Sequence, residues 1–313
     1  MRLLAKLPAG SWGVTMGCGI VSVDLNMLGQ RALSVALFLI AGAVWLLLVV
    51  RLARFPALAV SESASPPILG SVAATCVLGG RFAAGGAGLL AAALLALAAA
   101  GLAALARPVL THWVTPTSGT SFLLSVATQS VAVLAATLAA TDRLGWLLVF
   151  AMLTCLVALA AYVFVVRRFD LRAVASGAGD QWVAGGALAI AALAAGRIAA
   201  ASKAIAEFGG WHDAFSAAAL AIWCLAMAWF VPLAASEFIW PRLRYHLLRW
   251  STVFPLGMYA ACSFAVGQET GIRGITWFAR SWVWVAFAVT VLMLLGLASR
   301  VQSALPHRKS RAG

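Results

Sequence analysis

The sequence predicts an all-α polytopic membrane protein of ten transmembrane helices. Three observations carry that expectation. Of the 313 residues, 64% are hydrophobic and only 10% charged, with a mean hydropathy of +1.00. A soluble domain carries about 45–50% apolar and about 25% charged residues, so this chain has too few polar side chains to cover a soluble surface. Apolar runs long enough to cross roughly 30 Å of hydrocarbon, about 20 residues each, recur along the whole chain. Their polarity alternates from one run to the next. Together these exclude a cytosolic enzyme, a secreted disulfide scaffold and a disordered region.

Taken in order, the runs are approximately 10–26, 32–52, 67–83, 86–106, 117–140, 144–166, 181–202, 214–234, 249–268 and 280–299, read as one transmembrane domain over 1–313. Charged breaks separate them: Arg51 and Arg54, Arg107, Asp142 and Arg143, 167–172, 203–213, 237–249 and 269–280. Arg2 and Lys6 before the first run resemble a signal-peptide start. The run is Gly-rich and lacks a small-residue cleavage site, so it reads as a membrane helix.

The net charge is +13. With the N-terminus inside, 15 of the 22 Lys and Arg fall on cytoplasmic segments: Arg2, Lys6, Arg51, Arg54, Arg107, Arg167, Arg168, Arg172, Arg242, Arg244, Arg249, Arg300, Arg308, Lys309 and Arg311. The other seven, Arg31, Arg81, Arg143, Arg197, Lys203, Arg273 and Arg280, fall outside. Positive residues stay inside, so both termini are expected in the cytoplasm of a multi-pass protein of the cell's inner membrane. The charge then meets anionic lipid and implies no nucleic-acid partner. Basic residues of the tail, with His307, read as topology determinants.

Even runs are nearly pure Ala, Leu and Val. Odd runs carry hydroxyls, an amide and glycines: Thr15, Gly17 and Ser22 in the first; Thr75 in the third; Thr128, Gln129 and Ser130 in the fifth; Thr252 and Pro255 in the ninth. In a membrane such groups face protein or a wet cavity. Five odd helices are therefore expected to line something and five even ones to shield it, as five hairpins. Tight helix packing by small residues is the competing reading, and a hydroxyl bonded to its own backbone competes at each single position. The Gly13–Gly17 pair reads as close packing. Eight tryptophans, among them Trp12, Trp182 and Trp250, are expected as interface anchors. The five cysteines, one per apolar segment, read as buried thiols.

Four odd-run segments resemble the tellurite-resistance/C4-dicarboxylate transporter family, which includes plant slow anion channels, bacterial tellurite-resistance proteins, and fungal malate and sulfite transporters. They are WGVTMGCGIVS (12–22), GTSFLLSVATQSVAVLAA (119–136), DQWVAGGALAIAALA (180–194) and RWSTVFPLGMYAA (249–261). The resemblance implies ten helices as five hairpins with pseudo-five-fold symmetry around a central pore, in a homotrimer with one pore per subunit. It implies small inorganic or organic anions as cargo and a Phe on the ninth helix as plug, matching Phe254 before Pro255, with Phe264 as the fallback. Ala184, Gly185, Ala191 and Ala192 depart from bulkier or hydroxylated family positions and make the wall less polar.

The acids Asp24, Asp142, Asp180 and Glu237 sit at run ends, none mid-span, which favours passive anion flow over a protein-borne proton relay. Thr15, Gly17, Ser22, Thr75, Thr128, Gln129, Ser130 and Thr252 are the expected pore lining. Arg81 and Arg197 are expected to attract anions at the outer mouth or to snorkel to headgroups. His112, His212, His246 and His307 share no motif, and no phosphate loop occurs, so no enzyme, metal or cofactor is expected. The expected function is a passive anion channel or facilitative exporter. A secondary transporter for C4-dicarboxylate or sulfite, or a non-transporting scaffold subunit, remains open.

Overall fold

A helix lies over each of the ten apolar runs in the structure, a computed structural model that describes residues 7–176, 179–241 and 245–304. Arg2, Lys6, Arg242, Arg244, His307, Arg308, Lys309 and Arg311 lie outside the described residues. The long helices are α1 (Trp12–Met27), α2 (Arg31–Arg54), α3 (Gly70–Ala84), α4 (Gly88–Thr111), α5 (Leu123–Asp142), α6 (Gly145–Val166), α7 (Trp182–Ala204), α8 (His212–Ile239), α9 (Trp250–Thr270) and α10 (Arg273–Ala304). Among the described residues, eight helical segments are long and apolar enough to cross a membrane. The helices outside that set are α1, with 16 residues, and α9, whose Ser, Thr, Tyr and Gly lower its hydropathy. Helix α10 starts at Arg273, well before the expected residue 280, because nothing after Gly274 breaks the helix; the 269–280 break is confined to a turn at Gly271 and Ile272.

The chain repeats one local plan. A 3-10 turn leads directly into α1 (Ala9–Ser11), α3 (Pro66–Leu69), α5 (Gly119–Phe122) and α9 (Leu247–Arg249). The same four helices are followed by a left-handed residue: Gly29, Gly86, Arg143 and Gly271. A left-handed residue after a helix satisfies its last carbonyls and reverses the chain, and glycine takes that conformation without a Cβ penalty. Arg143 (φ 53°) takes it at a cost of about 1–2 kcal/mol. Loops this short force the next helix to return alongside. Only α7 departs from the plan, leaving through the 3-10 turn Ala206–Trp211.

Each odd helix packs on the even one that follows it. The odd helices also pack on one another in a closed circuit, α1–α3–α5–α7–α9–α1. They are buried along their lengths, whereas the even helices present Leu39, Leu89, Leu156, Leu225 and Leu292 outward. Lipid tails supply no hydrophobic drive between helices, so close approach and interhelical hydrogen bonds hold such a ring. A Cβ at Gly17 would lie 2.8 Å from Val253 Cγ1, and one at Gly186 would lie 2.8 Å from Pro255 Cγ. Glycine at 17 and 186 thus lets α1 and α7 close onto α9.

Candidate functional site: two cavities and a septum inside the ring

Two cavities lie inside the circuit, and each is bordered by all five odd helices. The first, 320 Å³, is bordered by residues at their starts: Trp12, Gly13, Met16, Gly70, Leu123, Val183, Trp250, Ser251 and Phe254. All five inner helices therefore begin at one face, here the N-face. The second, 240 Å³, is bordered by residues further along: Ile20, Asn26, Cys76, Gly80, Ser130, Thr137, Ile190, Arg197, Met258 and Ala261. It faces the far end.

Helical periodicity measures what separates them. The step from one cavity to the other is four residues on α1 (Met16 to Ile20) and on α9 (Phe254 to Met258), and seven on α5 (Leu123 to Ser130) and α7 (Val183 to Ile190). At 1.5 Å per residue the septum is about 6–10 Å thick. Residues that share a face recur at three and four, which puts Ala127 and Ala187 at septum level; both are fully buried. The septum thus sets three alkyl side chains and one ring, Met16, Ile20, Met258 and Phe254, against small residues. Phe254 is 1% exposed. Pro255 lacks the N–H that would bond the Ser251 carbonyl, and Ser251 borders the N-face cavity beside Phe254.

The expected lining residues are distributed differently. Among the described residues, Ser130 is the one of the eight that borders either cavity. Ser22 Oγ donates to the Ser34 carbonyl and Ser34 Oγ donates back to the Ser22 carbonyl, each at 2.7 Å, tying α1 to α2. Thr75 Oγ1 accepts Trp45 Nε1 of α2 at 2.9 Å. Gln129 Nε2 donates to the Cys155 carbonyl of α6 at 3.4 Å. Thr252 Oγ1 donates to the Gly179 carbonyl at 3.0 Å. Thr128 donates to its own helix at the Leu124 carbonyl. Gly17 is against Val253, and Thr15 is fully buried with an unpartnered hydroxyl. The polarity of the odd helices thus mostly rivets inner helices to outer helices and loops. Even Ser130 and Thr137 give their protons to Val126 and Val133 carbonyls, so they turn oxygens, not donors, toward the cavity.

The basic pair separates. Arg81 leans onto α2, donating from Nε to Ser34 Oγ at 3.3 Å and lying over the Phe38 ring; it borders neither cavity. Arg197 borders the far cavity, half-buried. No hydrogen bond or ion pair among the described residues engages its guanidinium. Glu269, near the end of α9, acts on it through space and sits 3.9 Å from His212 Nδ1. The Asn26 side chain is likewise unbonded and borders the same cavity. An unpaired guanidinium and an amide in a largely apolar chamber offer anions free N–H donors.

Sequence reasoning missed Met16, Ile20, Met258, Asn26 and the septum alanines. Stepping four residues from Phe254 along its helix would have found Met258. Trp12, Trp182 and Trp250 are buried: Trp12 and Trp250 border the N-face cavity, whereas Trp182 packs on Phe230 of α8 and donates from Nε1 to Glu237 of that helix. Phe264 is buried and borders neither cavity. Asp24 does fall in the last turn of α1, yet it is fully buried, and neither of its carboxylate oxygens has a partner.

This ring of apolar helices around two aligned chambers, one holding a free arginine, is the architecture of a membrane channel or transporter. The chain matches the family described as voltage-dependent anion channel (SLAC1) over residues 6–298, and it belongs to that family of channels and transporters. It is also similar to uncharacterized membrane proteins of Mycobacterium tuberculosis, MT1776 of strain CDC 1551 / Oshkosh and Rv1735c of strain ATCC 25618 / H37Rv. Each is 31% identical over 125 residues, a match covering 37% of this chain. The match spans 61% of the length of those relatives.

Proposed function

We propose that the ring is an anion pore, with five hairpins in pseudo-five-fold array, the odd helices lining and the even ones facing lipid. Anions collect at Arg197 in the far cavity and pass the septum when the Phe254 ring moves aside. The observation that carries this reading is the unpaired Arg197 in a chamber walled by all five inner helices. A fixed cation in a low-dielectric cleft concentrates anions, and a bulky apolar constriction closes a pore by sterics and dewetting. The N-face is cytoplasmic in this reading, on the strength of the Lys and Arg distribution, with both termini inside the cell membrane. Family resemblance is what supports a homotrimer. The cargo is a small anion such as chloride, nitrate or sulfite; malate and tellurite belong to the same test set.

The experiment is uptake of each anion by liposomes holding the purified protein, under an imposed potential, for wild type and Arg197→Gln. The expected result is uptake above empty liposomes that the variant reduces for every anion. Uptake equal to empty liposomes for wild type sinks the pore in favour of a scaffold role. Saturating uptake that is indifferent to potential favours a secondary transporter.

A further inference from the structure

Asp24 is the buried charge-bearing group that the pore reading leaves unused. It is wholly inaccessible, and both carboxylate oxygens lack a partner. A carboxylate in apolar surroundings normally needs donors or a cation beside it. Its place is made by Gly257 of α9: a Cβ there would come 3.4 Å from Asp24 Oδ2 and 2.6 Å from Ile20 Cγ2. Gly257 stands between the plug, Phe254, and Met258 on the far side of the septum. On α1 itself, Ile20, Val23, Asn26 and Met27 border the far cavity, so Asp24 sits just behind that wall.

Charged and titratable groups on the packed helices are few. Cys262 of α9 is fully buried, and Glu269 near the end of the same helix sits 3.9 Å from His212 Nδ1. Arg81 of α3 is engaged by Ser34, and Cys76 of α3 borders the cavity. Arg31 of α2 and Arg273 and Arg280 of α10 are exposed. Arg197 of α7 lies in the cavity wall.

We propose that Asp24 is a proton-binding site whose proton sets whether the far cavity accepts an anion. The inference rests on the pore reading above. With the proton on, the carboxyl is neutral and Arg197 is the formal charge an entering anion meets. With the proton released to the cavity, a negative charge behind the wall opposes Arg197 and anion occupancy falls. Flux therefore rises as the solution becomes more acidic, and an anion bound in the cavity favours a proton on Asp24, as linkage requires.

The test is nitrate flux through the full chain in liposomes, from about pH 5 to about pH 9, for wild type, Asp24→Asn and Cys262→Ala. Wild type should conduct about tenfold faster at the acidic end, a factor within the range that coupling between two binding sites gives. Asp24→Asn should hold the acidic-end rate at every pH, and Cys262→Ala should keep the wild-type profile. A flat wild-type profile overturns the proposal and needs no variant to fold. So does a wild-type profile retained by Asp24→Asn, or one lost in Cys262→Ala. Flux that is robust but pH-independent overturns the Asp24 proposal and leaves the pore standing. No flux in any protein at any pH removes both.

Discussion

Phe254 and Met258 stand one turn apart on α9 and border different cavities, Phe254 the one at the N-face and Met258 the one at the far end. The septum between the chambers is therefore about one turn thick at this helix, and both of its α9 side chains are bulky and buried.

The small residues opposite them carry the first prediction. Ala187 is fully buried between Val183 and Ile190, which border the two cavities. Ala187→Leu adds bulk at septum level on the proposed path, and overpacking costs about 1–3 kcal/mol. Flux in liposomes should fall at least several-fold. Adding Phe254→Ala should restore much of it, because the double variant exchanges bulk across one gap. Equal losses in the single and double variants would place Ala187 away from the path.

Arg197 carries the second. Steering by a fixed charge raises local anion concentration by about 10–1000-fold. Arg197→Gln should lower flux at low anion concentration by about tenfold, and Arg197→Lys should keep a large part, since the point charge remains. Arg81→Gln should change flux little, because that side chain is spent on Ser34 and Phe38. Flux assayed against anion concentration separates the two positions.

Packing at Pro255 carries the third. A Cβ at Gly186 would lie 2.8 and 2.9 Å from Pro255 Cγ and Cβ. Gly186→Ala should lower thermal stability by about 1–3 kcal/mol and alter flux together with it, since Pro255 is bonded to Phe254. Gly209→Ala, with open space around its Cβ position, should leave both unchanged. Unfolding in detergent and liposome flux read the two effects.

The division into inner and outer helices was legible because it follows from composition; the closed ring was implied by the family resemblance. Aliphatic even helices can face lipid, and Gly-rich odd helices gain little there unless packed, so α4 and α1 announce their places, whereas α7, with glycines but few hydroxyls, showed the pattern least. The hydroxyls misled about the wall. Most Ser and Thr hydroxyls here give their proton to a backbone carbonyl, of their own helix, an adjacent helix or a loop; Thr128, Ser22 and Thr252 do this in turn, whereas Thr15 does not. Which face of α1 turns inward depends on where Gly17 and Gly257 let α9 approach, a fact of three-dimensional fit that no linear pattern carries. Asp24 illustrates the same limit: a last-turn acid reads as interfacial until α9 is seen to cover it.

Conductance of Phe254→Ala against wild type tests the pore most directly. Both proteins are reconstituted at equal density and anion flux is driven by an imposed potential. A plug at Phe254 predicts flux about ten- to a hundredfold higher in the variant, since each ~1.4 kcal/mol removed from a barrier is tenfold in rate. The ranking of chloride, nitrate and sulfite should be unchanged, because Arg197 is untouched. Equal flux in a folded variant, or flux gained equally by chloride and by a cation such as potassium, would contradict an anion path closed at that ring.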